Sequence, residues 1–251
     1  MSRYDFTAQR LYVNLPLREG VEIQLDPAQT NYVRNVLRLS EGGSLLVFNG
    51  HDGEWQTAIA VSRRKEVTLI VREMTRSQEF PPDLHYLFAP LKHARQDYLV
   101  EKAVEMGAGL LQPVLTRRTQ ASRINSGRMR IHAIEAAEQC GILTVPDIAP
   151  AIGLEALLKS WEQDRLLVFC DEDAPSADPV AILKAGANAA GHCPLAVLVG
   201  PEGGFDAQER EALLALPSVI RLPLGPRILR ADTAAVAALA LVQATLGDWQ
   251  T

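Results

Sequence analysis

From residue 84 onward, short apolar strands alternate with helical stretches, and this alternation leaves the chain few architectures. Residues 84–89, 110–115, 166–170, 195–199 and 219–222 read as strands, and residues 96–106, 126–140, 154–161, 179–185, 207–216 and 231–246 read as helices. Apolar strands separated by helices specify an α/β fold with a largely parallel sheet covered on both faces. The first 75 residues read differently. Gly42-Gly43, Asn49-Gly50 and Asp52-Gly53 are tight-turn signals among β-branched runs at 44–48, 55–61 and 67–71. A helix over 27–39, with Tyr32, Val33, Val36 and Leu37 on one face, precedes them. A small β-barrel with one packed helix fits. The expected organisation is a barrel domain over 1–75, a linker over 76–82 that Pro81-Pro82 keeps irregular, and an α/β domain over 83–251.

Two glycine-bearing turns stand out in the last fifth of the chain. Leu195 to Val199 runs into Gly200-Pro201-Glu202-Gly203-Gly204-Phe205, and Ile220-Arg221-Leu222 runs into Pro223-Leu224-Gly225-Pro226-Arg227-Ile228-Leu229-Arg230. Glycine lets a backbone approach a ligand closely, and strand ends are where open α/β sheets bind small molecules. Two such turns so near in sequence suggest one shared pocket. Asp206 with Glu209 makes a capping box for the helix after the first turn. The spacing is neither a dinucleotide fingerprint nor a P-loop, and Glu202 would repel a pyrophosphate. Arg230 stands at a helix N-terminus, where a cation is unfavourable, so a partner is expected: Asp232, Glu202 or a bound anion.

The net charge of −5 argues at first against a nucleic-acid partner, but all of it lies in residues 146–251, where fourteen acids face seven bases. Residues 117–130 hold five arginines and no acid, and Arg63-Arg64-Lys65 forms a second basic cluster. Such clusters are either solvated surface or phosphate-binding surface. No apolar run has the length and character of a membrane span, and the N-terminus lacks the apolar core of a signal peptide. Three scattered cysteines form neither a metal site nor a disulfide framework and read as reduced cytosolic thiols. The five histidines show no zinc spacing, and no Gly-x-Ser-x-Gly elbow occurs.

Leu198 to Phe205 and Leu222 to Arg230 closely resemble the signature loops of the ribosomal RNA small subunit methyltransferase E family, a branch of the SPOUT class. Val36-Leu37-Arg38 with Gly42 resembles its N-terminal domain, Lys102 to Gly107 its first α/β helix, and Glu138-Gln139-Cys140-Gly141 with Val145-Pro146 its central motif. Three positions depart from the pattern. Ala231-Asp232-Thr233 replaces the usual Thr-Glu-Thr, Ile142 stands where arginine is frequent, and Asn31 where histidine is frequent.

The resemblance implies a C-terminal SPOUT α/β domain with a trefoil knot, preceded by a small PUA-like β-barrel that binds RNA. It implies a cytoplasmic homodimer that uses S-adenosyl-L-methionine, without a metal, to methylate N3 of a uridine in 16S rRNA of the small ribosomal subunit. Carried onto this chain, Leu198, Gly200, Leu222, Leu224, Ile228, Leu229 and Arg230 would cradle the methyl donor, with Gly203 and Gly225 permitting close approach. Arg230 would orient the substrate and stabilise its anion. Glu202 and Asp232 compete for donor contact or proton removal. Arg38, Arg63, Arg64, Lys65, Lys92, Arg95, Arg117, Arg118 and Arg123 would grip RNA phosphates. Two alternatives stay open: another RNA site, or a catalytically silent RNA-binding assembly factor.

Overall fold

The computed structural model describes residues 8–64, 66–80, 83–92, 94–120, 124–175, 177–190 and 193–250. Lys65 and Arg123 therefore lie outside the described residues. The chain forms two compact units, Met1–Pro81 with Ile134–Val145, and Pro82–Ala133 with Pro146–Thr251.

The first unit contains β1 (Arg10–Tyr12), β2 (Glu22–Gln24), α1 (Pro27–Asn31), β3 (Ser44–Phe48), β4 (Glu54–Arg63) and β5 (Glu66–Arg76). They form one sheet in the order β1-β3-β4-β5-β2, antiparallel except where β1 meets β3. Leu11, Ile23, Leu45, Ile59 and Leu69, one from each strand, share a single core with Val33. Strands at opposite ends of a five-strand row reach one core only if the sheet curls. Register shifts along β4 and β5 supply that curvature. The helix expected over 27–39 changes character: α1 opens on an Asp26–Gln29 capping box, and Tyr32–Val36 continues as a π-helical turn. Each π residue turns less about the axis than an α residue, so a stripe at α spacing lapses. Val33 is fully buried while Val36 is exposed. The segment ends with Arg38 in the left-handed region (φ 57°), a conformation that favours glycine.

A buried charge network closes this unit. Glu54 is fully buried and accepts from Arg10 Nε at 2.7 Å, from Arg76 Nη2 at 2.8 Å and from the Thr75 hydroxyl at 2.9 Å. Arg10 also donates to the carbonyls of Ala137, Glu138 and Ile142, and Arg76 to that of Gly141 at 2.8 Å. A cation at the carbonyl end of a helix is favoured by the helix dipole as well as by the hydrogen bonds.

The second unit comprises β6 (Leu84–Phe88), α2 (Ala94–Glu105), β7 (Leu110–Leu115), α3 (Ser126–Gln139, whose last turns count with the first unit), β8 (Asp147–Ile148), β9 (Ile152–Gly153), α4 (Leu154–Lys159), β10 (Leu166–Cys170), α5 (Pro179–Ala190), β11 (Leu195–Val199), α6 (Ala207–Leu214), β12 (Val219–Leu222) and α7 (Ala231–Thr245). The sheet runs β12-β10-β11-β6-β7-β8, with β9 also on β7, and every pairing is parallel. Alternate residues face opposite sides. Phe169 and Leu198 pack with Leu154 of α4 and Leu213 of α6, while α7 lies on α2, α5 and β11. Small α7 residues, Ala235 and Ala238, allow that close approach and are fully or nearly fully buried. Among the described residues, no helix is long and apolar enough to cross a membrane.

One consequence of the strand order positions the site. β10 lies between β11 and β12, with Cys170 in register with both Val199 and Leu222. The two glycine turns therefore start one strand apart, and the loop after β10 emerges between them.

Candidate functional site

The three loops that leave β10, β11 and β12 border one cavity of about 330 Å3. Gly200, Pro201, Glu202 and Phe205 of the first glycine turn line it, as do Leu222 to Leu229 of the second. Cys170 to Ala174 contribute a third wall, and Ala231 and Ala234 of α7 complete the lining. The volume is in the range of pockets that hold a small organic ligand, and the mixture of aliphatic side chains with a few polar groups is typical of them. Close approach is enforced at Gly200, where an added Cβ would stand 2.4 Å from the Phe205 ring. That ring is itself fixed edge-on against Phe169, with centroids 5.1 Å apart. At Gly225 (φ 89°) nothing lies within 4 Å of an added Cβ, so the backbone there is open to a ligand.

Acidic groups dominate the third wall. Asp171 is buried and receives Arg210 Nε at 3.1 Å and Arg221 Nε at 2.9 Å. Glu172 is exposed, with its carboxylate against Gly204. The half-buried Cys170 thiol is pushed up to about 12 by desolvation and so stays protonated. This wall was missed by reading glycines alone. The signal that could have found it is the run Cys170-Asp171-Glu172-Asp173 at a strand end.

Arginines brace the first glycine turn from the loop after β7 and from α2. Arg118 Nη1 donates to the Gly203 carbonyl at 2.6 Å, and Arg117 Nη1 pairs with Asp206 at 2.6 Å. Asp206 and Glu209 form the expected capping box of α6, and the Glu209 carboxylate also accepts from the Arg117 N–H. From α2, Arg95 Nη1 donates to Glu202, and Nε donates to Asp232 at 3.0 Å. Arg95 thus joins the first glycine turn to the first turn of α7. Its hydrogen bond holds the Asp232 carboxyl below the ordinary aspartate range. The remaining nitrogen, Nη2, is shut off from water without a partner. An orphaned buried donor costs about 1–3 kcal/mol.

The chain matches two family models, an RNA methyltransferase PUA domain over residues 25–72 and an RNA methyltransferase domain over residues 78–243. It is 30% identical over 235 residues to ribosomal RNA small subunit methyltransferase E of Rickettsia conorii, spanning 93% of this chain and 94% of that protein. This chain belongs to the ribosomal RNA small subunit methyltransferase E family. Solved structures agree. The Neisseria gonorrhoeae ribosomal RNA small subunit methyltransferase E, bound to S-adenosyl methionine, aligns with TM-score 0.82 and 26% identity over 96% of this chain and 99% of that one. A Legionella pneumophila methyltransferase in complex with bound SAM aligns with TM-score 0.80 and 27% identity over 94% and 97%. The SPOUT-type α/β fold preceded by a small PUA-like domain is the architecture of this methyltransferase family.

In this methyltransferase the expected site residues separate into groups. Gly200, Glu202, Leu222, Leu224, Gly225, Ile228 and Leu229 border the cavity. Leu198 is buried in the core beneath it, and Gly203 faces Arg118. Arg230 is exposed at the N-cap of α7 and makes no ion pair among the described residues. The acids considered as its partners, Glu202 and Asp232, are held by Arg95 instead. Competition decides this: Arg95 reaches both carboxylates with a planar fork, and one guanidinium satisfies two acids.

The expected RNA-gripping residues divide in the same way. Arg38, Arg64 and Lys92 are exposed, and Arg63 is exposed with only a loose 3.9 Å pair to Glu66. Arg95, Arg117 and Arg118 are instead engaged within the protein, as is Arg128, whose pair with Asp97 is 2.7 Å. Among the described residues, the arginine-rich stretch 117–130 is therefore not the unpaired patch its composition suggests. Sequence counts charge but does not see its partners.

Proposed function

We propose that this chain transfers a methyl group from S-adenosyl-L-methionine to N3 of a uridine in 16S rRNA of the small ribosomal subunit, acting in the cytoplasm as a homodimer with a knotted C-terminal domain. The observation that carries the reading is the convergence of three adjacent strand-end loops on one cavity, in a member of this family. The residues present fit the donor. Leu222, Leu224 and Leu229 offer apolar walls, the open backbone at Gly225 offers hydrogen bonds, and Glu172, Asp173 and Glu202 offer negative charge to a cation. When bound, the donor supplies an electrophilic methyl group on a positively charged sulfur.

The chain's own contribution is alignment and electrostatics. The two glycine turns set the donor's position, and Arg118 and Arg95 hold the first turn in place. Arg230, free of ion pairs among the described residues, is available to orient the RNA. Asp232 is a poor proton acceptor because Arg95 lowers its affinity for a proton. The target base must be unpaired or flipped to reach the cavity.

The test is mass-spectrometric mapping of methylation on small-subunit rRNA from a strain lacking the gene, with and without purified protein. N3-methyluridine appearing only on addition supports the reading; methylation elsewhere, or none, sinks it. Two further outcomes are expected. RNA binding should weaken steeply from low to moderate salt, because Lys and Arg contacts release counterions, and a flat salt dependence would contradict phosphate gripping. Asp171→Asn should lower donor affinity about tenfold by calorimetry, equivalent to about 1.4 kcal/mol, because it removes the counter-charge of Arg221 and leaves Arg210 only its pair with Asp173 beside a cation site. Unchanged affinity would show that the Asp171 cluster is irrelevant to the donor.

A further inference from the structure

Buried side-chain donors without partners are concentrated in one place. Of the four among the described residues, Tyr86 Oη, Arg95 Nη2 and Gln96 Nε2 all come from β6 and the start of α2; the fourth is Trp161 Nε1. Arg95 is the charged member. Asp232 and Glu202 take its Nε and Nη1, so the guanidinium is anchored on two sides and Nη2 is the edge left over. Gln96 is anchored too, since its Oε1 accepts from the Leu91 N–H at 2.8 Å while Nε2 has no partner. Glu202 lines the cavity, and so does Ala231, the neighbour of Asp232. Arg95 thus stands behind that lining, where its two ion pairs join the first glycine turn to α7.

We propose that Arg95 is the cation that stabilises the uracil anion, donating from Nη2 to a carbonyl oxygen of the target base. This rests on the uridine-N3 reading. Glu202 and Asp232 are then holders of Arg95 rather than proton acceptors. The balance is simple. The N3–H bond breaks and its proton passes to solvent water or hydroxide. The electron pair left on N3, shared with the two ring carbonyls, forms the bond to the methyl carbon. The carbon–sulfur bond breaks and its pair stays on sulfur. Arg95 remains protonated throughout. A donor held by two carboxylates and shielded from water acts on developing charge with little reorganisation, which the exposed Arg230, with no ion pair among the described residues, does not offer.

The test is single-turnover methylation of small ribosomal subunits from a strain lacking the enzyme, over a range of pH. Wild type, Arg95→Gln and Arg95→Lys are compared on RNA containing uridine or 5-fluorouridine, whose N3 is more acidic. Because Arg95 also holds the first glycine turn, each variant's donor affinity is measured first by calorimetry and the rates are compared at saturating donor. At neutral pH Arg95→Gln should methylate roughly a hundredfold more slowly. That deficit should shrink as pH rises, and 5-fluorouridine should recover at least about tenfold of it, with Arg95→Lys intermediate. A deficit equal at every pH and on both RNAs would overturn the proposal and leave Arg95 a structural tie. So would a wild-type rate in Arg95→Gln. If Arg95→Gln loses donor binding, Arg95→Lys carries the same comparison. Absence of N3-methyluridine with wild-type protein would overturn the functional reading itself, a separate result.

Discussion

Gly200→Ala is expected to give a folded protein that has lost S-adenosylmethionine binding by about a hundredfold. The added methyl would sit 2.4 Å from Phe205 Cε2, 2.9 Å from Cζ and 3.0 Å from Cδ2. Contacts that short do not persist, so either the ring or the turn must shift. The ring is packed edge-on against Phe169 in the core beneath, so the turn takes much of the displacement. That turn carries Glu202 and borders the cavity. A misplacement of about 1 Å in a binding loop is enough for a change of this size. Isothermal calorimetry checks the affinity and circular dichroism checks the fold. Gly225→Ala makes the contrast. It has space for a methyl but a φ of 89°, so its penalty is backbone strain rather than collision. Wild-type affinity in Gly200→Ala would mean that the cavity does not hold the donor.

Glu54→Ala is expected to destabilise the first unit by about 3–5 kcal/mol, because it leaves Arg10 and Arg76 without their shared counter-charge. The Arg10 side chain is 3% exposed, so water cannot replace what is lost. Thermal or urea denaturation measures the change. Arg10→Ala combined with Glu54→Ala should cost less than the sum of the two, since the second deletion removes a partner already orphaned. The pH dependence has a definite sign. Burial raises the Glu54 proton affinity, but hydrogen bonds from Arg76 and Arg10 more than offset it, and the net shift is downward from 4.5. A carboxyl depressed in the folded state contributes stability above its unfolded value and loses it as pH falls through the folded one. The first unit should therefore weaken in acid below about pH 4.5, and Glu54→Gln should show a flatter acid limb. An identical acid limb in Glu54→Gln would remove Glu54 from the explanation.

What the sequence made legible follows from how local each signal is. The alternation after residue 84 places all five long strands of the second sheet, because β10 and β11 are unbroken apolar runs and β6, β7 and β12 are mostly apolar, as strands covered on both faces are. Asp206 and Glu209 are three residues apart, so their capping box is readable from the chain alone. Strands of two or three residues such as β1, β2, β8 and β9 are too short for any period to show. The π-helical turn at Tyr32–Val36 carries no periodic mark of its own. The site was half visible. Glycines flag the turns after β11 and β12, but the acidic loop between them follows from the strand order, a property of the folded sheet. Arg95 was the hardest to place. It pairs with a residue 137 positions away, and in the sequence it is one more basic residue in a chain with twenty-five.

The membership of residues 134–145 in the first unit bears on how this protein is made. A nascent chain that has been translated through Pro81 has every strand of the first sheet but none of the carbonyls that Arg10 and Arg76 will cap. At ordinary translation speeds the missing piece arrives on the order of several seconds later. Until then a charged cluster waits half-assembled on the ribosome, and a fragment cut at the apparent linker would keep it in that state indefinitely.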